Sequence, residues 1–213
     1  YAGLKHEPDD AGGMVCKGVD CKGIETERRD TLPFTKEVMR GCLDLLLQRC
    51  DERAALAFFQ ERMRGFVDGK VPFDQFVMRK NLSSKVAGKT GTIAHARVNA
   101  LRAAREPGSE AAVGEQVEYV IVKGHKRDKT TQLAEDAAFA RQNGLKLNLL
   151  WYFEHTIEEP VRKLFDVFPG LNYKGVCARL RAELDGQRLG IGTSLRDLLT
   201  KRKAPPDATG DES

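Results

Sequence analysis

Nine consecutive residues, Lys22-Gly23-Ile24-Glu25-Thr26-Glu27-Arg28-Arg29-Asp30, hold the densest chemistry in the chain. The two adjacent arginines present planar guanidinium forks that match phosphate oxygens in pairs, where a lysine offers only a point charge. Gly23 has no Cβ and lets backbone come close to a ligand. Glu25 or Asp30 can orient a guanidinium. Phosphate binding is therefore one chemistry this set allows. A solvated run of charge is the other, and the residue types alone leave both open.

Several other residues invite a chemical reading that their surroundings do not sustain. Ala87-Gly88-Lys89-Thr90-Gly91-Thr92 has the end of a phosphate loop, but Ser83 stands where its first glycine is required and no buried strand precedes it. Cys16 and Cys21 are a lone pair without a second pair of Cys or His at zinc-site spacing. The five cysteines (Cys16, Cys21, Cys42, Cys50, Cys177) are expected as free thiols. Gln60, Met63, Phe66 and Val67 loosely follow a sliding-clamp peptide, yet they fall inside an amphipathic helix that needs the three apolar ones for a core. His155 lies in an apolar helix and is expected as a satisfied structural histidine. Trp151 and the nearby phenylalanines read as core before they read as a base-stacking platform.

The elements that must position the charged block are legible from periodicity. Ala2-Gly3-Leu4 and Met14-Val15-Cys16 flank a Pro/Asp/Gly turn and predict a hairpin-like connection. From Pro33, Phe34, Val38, Cys42 and Leu46 recur every four residues and predict a helix. Asp51 can cap a second helix that runs to Gly69, and the close link predicts an antiparallel pair. Pro72 to Leu82 is expected to begin as a turn of helix and end extended. Ile93 to Arg105 predicts a basic helix with a positive polar face, stopped by Pro107-Gly108. Val117 to Val122 is the best strand, and it ends in a cationic turn, Lys123-Gly124-His125-Lys126-Arg127. Leu133 to Arg141 is expected as a short helix. Leu149 to Phe168 is a helical stripe that Pro160 can break or kink. A further helix is expected from Val176 to Leu184, another short one through Leu195, and a disordered end from Ala204.

Tyr1-Ala2-Gly3, followed some twenty residues later by the Lys22 to Asp30 block, resembles family B DNA polymerases, the delta-type replicative enzymes above all. There a Lys-Lys-x-Tyr-Ala-Gly block precedes a Lys-Gly-x-Glu-x-x-Arg-Arg-Asp block. Val77-Met78-Arg79-Lys80-Asn81-Leu82, then Lys89 with His95-Ala96-Arg97, are similar to the family's thumb segments. Arg105-Glu106-Pro107-Gly108-Ser109 and Gly114-Glu115-Gln116-Val117-Glu118-Tyr119-Val120-Ile121 resemble the following helix, loop and strand. Trp151-Tyr152-Phe153 with Pro160-Val161 is similar to a later thumb helix, although Trp151 departs from its first tyrosine. The likeness runs from Tyr1 to about Gly170. It implies DNA contacts from Tyr1, Gly3, Lys22, Gly23, Glu25, Arg28, Arg29, Asp30, Lys80, Lys89, His95 and Arg97. It also implies that the catalytic carboxylates and their two divalent metal ions, magnesium in the parent, belong to palm motifs this sequence does not contain. No residue here is then catalytic, and no cofactor is expected in this part.

Composition agrees with that reading without deciding it. A chain of 213 residues with 41% hydrophobic content can bury one substantial core. Its net charge of +4 is only mildly basic. No run of about eighteen uncharged apolar residues and no signal-peptide order is present, so an intracellular protein is expected, in the nucleus or at a viral replication site. A start at Tyr1 suggests a fragment. The expected fold is α+β and mainly α: a small β-containing palm edge over residues 1–30, a helical thumb over 31–200 and a tail over 201–213. The implied partners are primer–template duplex, deoxynucleoside triphosphates in the parent enzyme, a sliding clamp and accessory subunits, and no membrane. Two rivals are a free-standing basic helical module for nucleic acid or a partner, and a purely structural interaction domain.

Overall fold

The computed structural model describes residues 2–10, 13–22, 31–125 and 127–188. Strands β1 (Ala2–Pro8) and β2 (Met14–Cys21) form an antiparallel hairpin. Its turn is closed by the Asp9 carboxylate, which accepts the Gly13 backbone N–H at 2.6 Å. Lys5 pairs with Gly18 and His6 with Cys16, so Lys17 is the extra residue of a bulge. Gly18 takes φ of 108° there, a left-handed value that favours glycine and bends the strand.

Helices α1 (Pro33–Gln48) and α2 (Glu52–Val67) follow with the expected signals. Proline opens α1, and the Asp51 side chain caps α2 by accepting the Ala54 N–H at 2.8 Å. Glu37 pairs with Arg62, and the Cys42 thiol donates to the Ala55 carbonyl. Contacts that rise along α1 thus fall along α2, which makes the pair antiparallel. Phe34, Val38 and Cys42 from α1 meet Phe59, Met63 and Phe66 from α2 in one core.

A 3₁₀ turn (Phe73–Phe76) leads into β3 (Met78–Asn81), which pairs antiparallel with β4 (Gln116–Ile121). Between them lie α3 (Ser84–Ala87) and α4 (Ala94–Arg105). The expected single helix over 133–141 is corrected. Helix α5 (Thr130–Leu133) ends there, β5 (Ala134–Asp136) adds a third strand to β4, and α6 (Ala137–Gln142) starts only after it. Three residues carry no readable alternation; β5 exists because β4 offers it a free edge. Asp136 then caps α6 by accepting the Phe139 N–H at 2.9 Å.

The 149–168 stripe is helical but not uniform: α7 (Leu149–Tyr152), a π-helical turn (Phe153–Ile157) and α8 (Glu158–Phe165) run end to end. Pro160 has no N–H to return to the carbonyl of Thr156, four residues back. The buried Thr35 hydroxyl donates to that carbonyl at 3.0 Å, which ties α1 to the widened turn. Helix α9 (Tyr173–Arg188) packs across α2 and α7. A chain of aromatic contacts joins the layers: Phe34 to Phe66 at 5.4 Å, Phe66 to Phe76 at 5.6 Å, Phe76 to Tyr152 at 5.2 Å. The Tyr152 hydroxyl, fully buried, donates to the Phe76 carbonyl and accepts the Ile121 N–H, so the core aromatic also fixes the sheet. The architecture is α+β and mainly α. The helix expected through Leu195 and the end from Ala204 fall outside the described residues.

Candidate nucleic-acid interface

The hairpin brings the two sequence motifs together. Gly3 pairs with Asp20, two residues before Lys22, so the Tyr-Ala-Gly block and the start of the charged block share one end of the hairpin. Lys22 is exposed there and lies 3.6 Å from Asp20. Tyr1, Gly23, Glu25, Arg28, Arg29 and Asp30 lie outside the described residues.

A second group gathers where β3, the α3–α4 turn and α4 meet. Lys80 on β3 stands opposite Val117, and His95 in the first turn of α4 stacks on Tyr119 of β4 at 6.3 Å between ring centroids. Burial, together with the Lys80 charge, holds the His95 pKa below its ordinary value. The fold thus favours the neutral form of the imidazole, which sits near the Lys80 ammonium. Lys89 is exposed in the turn just before α4, and its carbonyl accepts the Ile93 N–H. The resemblance to a phosphate loop ends there, since α3 and a turn precede Lys89 instead of a buried strand.

Arg97 behaves differently from these lysines. Its Nη1 donates to the carbonyls of Thr131 at 3.0 Å and Ala134 at 3.1 Å, so this guanidinium clamps α4 to the α5–β5 segment. The next arginines of α4 are committed in the same direction. Arg102 pairs with Asp136 at 3.5 Å. Arg105 forms a two-pronged pair with Glu135, each bond 2.8 Å, and lies 3.6 Å over the Phe139 ring. Burial alone would raise the Glu135 pKa; the Arg105 hydrogen bond and the Asp136 N–H more than offset it and hold the carboxylate below its usual range. The expected positive face of α4 is thus corrected. Arg102 and Arg105 meet carboxylates and Arg97 meets carbonyls, all about thirty residues downstream, and no local pattern announces those contacts.

Other sequence readings are settled by burial. Met63, Phe66 and Val67 are in the core, where a clamp could not reach them. Cys42 and Cys177 are buried, and burial pushes their thiols up to about 12 and about 11. All five cysteines are free. His155 is satisfied, as expected, but at the surface. It is exposed, stacks on Trp151 at 4.8 Å, and its Nδ1 lies 3.0 Å from the Trp151 carbonyl. Sequence reasoning missed Asn99, whose amide makes two hydrogen bonds with Ala111 and pins the loop before β4. A polar amide inside a helix was its available signal.

Comparison with known proteins supplies the family. A family model described as DNA polymerase family B matches residues 1–168. The chain belongs to that family. The free-standing module without a polymerase relation is thereby set aside. The chain is 30% identical to the DNA polymerase delta catalytic subunit of Drosophila melanogaster over 180 residues, 84% of this chain and 16% of that protein. It is 32% identical to a DNA polymerase of Paramecium bursaria Chlorella virus NY2A over 168 residues, 78% of this chain and 18% of that protein. It thus spans less than a fifth of these curated relatives. A solved family B DNA polymerase from Pyrobaculum calidifontis shares the fold, with a TM-score of 0.52 and 20% identity over 78% of this chain and 20% of that one. Among the described residues no group of three or more His, Cys, Asp or Glu could hold a metal ion. No described helix is long and apolar enough to cross a membrane.

Proposed function

We propose that this chain is the palm-edge and thumb part of a delta-type family B DNA polymerase and that it holds primer–template duplex by its phosphate backbone. Residues 1–30 form the palm edge, 31–200 the thumb and 201–213 a tail. One observation carries the reading: the Ala2–Cys21 and Gly3–Asp20 pairings bring Ala2 and Gly3 of the first motif to the end of the hairpin where Lys22, the first residue of the charged block, begins. Lys80, Lys89 and His95 add a second contact, and Arg97 is a positioning residue that holds α4 in place. On this reading the parent adds deoxynucleotides with two metal ions bound elsewhere, takes deoxynucleoside triphosphates and works with a clamp and accessory subunits. It acts in a nucleus or at a viral replication site.

Titration of duplex across ionic strength tests this. Neutralising about four phosphates gives a log–log salt slope of roughly −3.6. Arg29→Ala removes a charge-assisted contact of about 1.5–3 kcal/mol and weakens duplex binding about ten- to hundredfold. Arg29→Lys recovers only part, because it lacks the planar fork. If Arg29 instead pairs inside the protein with Glu25 or Asp30, the alanine variant lowers the melting temperature and leaves duplex affinity per folded molecule unchanged. That result overturns the assignment.

A further inference from the structure

The cationic turn after β4 is built, not merely charged. Val122 bridges to Leu147, and the Lys123 N–H donates to the Lys146 carbonyl at 2.7 Å, which sets Lys146 alongside the turn. The one carboxylate in the described turn, Asp128, faces inward: its Oδ2 accepts the His125 backbone N–H at 2.7 Å. At Gly124 an added Cβ would lie 2.4 Å from a Leu133 methyl and 2.8 Å from Asp128 Oδ2, so only glycine lets the turn close this tightly. Lys123 is anchored, with its ammonium on the Gln187 carbonyl near the end of α9. Arg127, Lys129 and Lys146 are exposed, and among the described residues none forms an ion pair. This is the reverse of α4, where Arg102 and Arg105 meet carboxylates.

Position adds the second observation. Lys80 stands opposite Val117 near the start of β4, and Lys123 follows its other end. Six residues of strand span about 20 Å. Each nucleotide of a duplex strand advances about 3.4 Å along the helix axis, so for a sheet edge lying along that axis the two cationic ends are about six nucleotide steps apart. We propose that Arg127, Lys129 and Lys146 form a third phosphate-backbone contact for duplex nucleic acid, separate from the hairpin motifs and from the Lys80, Lys89 and His95 group. The inference rests on the duplex-holding reading above and extends it to a site at the opposite end of the sheet.

Anisotropy of a fluorescein-labelled 24-base-pair primer–template duplex, titrated with the full 213-residue chain over a range of salt, tests it. Arg127→Ala/Lys129→Ala/Lys146→Ala removes three contacts and flattens the log–log salt slope by about 2.7, roughly 0.9 for each. A control, Arg49→Ala/Arg53→Ala/Arg64→Ala, takes the same charge from exposed positions of the α1–α2 pair and leaves the slope within about one contact of the parent chain. Circular dichroism melting of both triples checks that the fold is kept. Equal slopes for the two triples mean that net charge alone is felt and overturn the proposal. If Lys80→Ala/Lys89→Ala flattens the slope while the turn triple does not, the duplex reading survives and this site falls. If the parent chain itself binds without salt dependence, both fall together.

Discussion

Thr35→Val isolates a single hydrogen bond whose partner is known. The Thr35 side chain is fully buried in α1, and its hydroxyl donates at 3.0 Å to the Thr156 carbonyl, the one that Pro160 cannot serve. Valine keeps the shape and deletes the donor. A buried acceptor left unsatisfied costs about 1–3 kcal/mol. Thr156 is half-buried, so water can reach its surroundings in part and the lower half of that range, about 1–2 kcal/mol, is expected. For a chain of this size each kcal/mol moves the melting temperature by about 2–4 °C, giving a fall of about 2–8 °C. Urea unfolding should show the same loss in the midpoint with an unchanged m value, since no surface is exposed by the substitution. Thr35→Ser keeps the hydroxyl and should retain the hydrogen bond. The decisive arm is Pro160→Ala, which gives residue 160 an N–H that can bond the Thr156 carbonyl. In that background the valine penalty should shrink. A Thr35→Val chain that melts within about 1 °C of the parent, or a valine penalty that stays as large in the Pro160→Ala background, refutes the reasoning.

Tyr152→Phe removes the hydroxyl that donates to Phe76 and accepts from Ile121, and with two buried backbone groups stranded the loss should be about 2–4 kcal/mol by urea titration. His95 has its pKa held below the ordinary value by burial and by Lys80, so the fold favours the neutral ring: its stabilising effect is present above pH 6.5 and is lost as pH falls from there, and His95→Gln should flatten that acid limb of the stability profile. Glu135 has its pKa held down by Arg105 and the Asp136 N–H despite burial, so its contribution is present above the ordinary carboxylate value of 4.5 and is lost as pH falls through the lower, folded value. Arg105→Ala should therefore cost about 1–2 kcal/mol at pH 7, discounted for an arginine about one-third exposed, with the difference from the parent narrowing in acid.

Periodic elements were legible in the sequence because local chemistry and burial agree in them. Phe34, Val38 and Cys42 recur on one face and are all fully buried; Asp51 caps the helix it precedes; Val117, Tyr119 and Ile121 alternate into the core. What could not be read depends on partners distant in sequence. Strand β5 is three residues long and is defined by its pairing with β4. The π-helical turn shares its hydrophobic stripe with an ordinary helix and differs only through Pro160 and the Thr35 hydroxyl, 121 residues from the carbonyl it serves. The α4 arginines look like a free cationic face until Glu135 and Asp136 are folded against them. In the candidate site, the Gly3 to Lys22 proximity needed the β1–β2 register, while the placing of His95 near Lys80 needed α4 to fold against the β3–β4 sheet. Residue types named the chemistry; only the fold says which cations are left to face outward.

The division of labour between arginine and lysine bears on the kind of binding this fold supports. Arg97, Arg102 and Arg105 are held by carbonyls or carboxylates, and their forks fix the angle of α4 against the sheet. Lys89, Arg127, Lys129 and Lys146 are exposed. A fork reads fixed geometry, including the paired acceptors of a guanine edge, whereas an ammonium is a hydrated point charge on a flexible stem. Lysine-rich contact with phosphates is tolerant of small displacements and blind to sequence. If the chain holds duplex, it should therefore do so without base preference and let the duplex advance past it. Exchanging the outward lysines for arginines should slow that advance without changing the sequence dependence of binding, and measuring both on one duplex separates grip from readout.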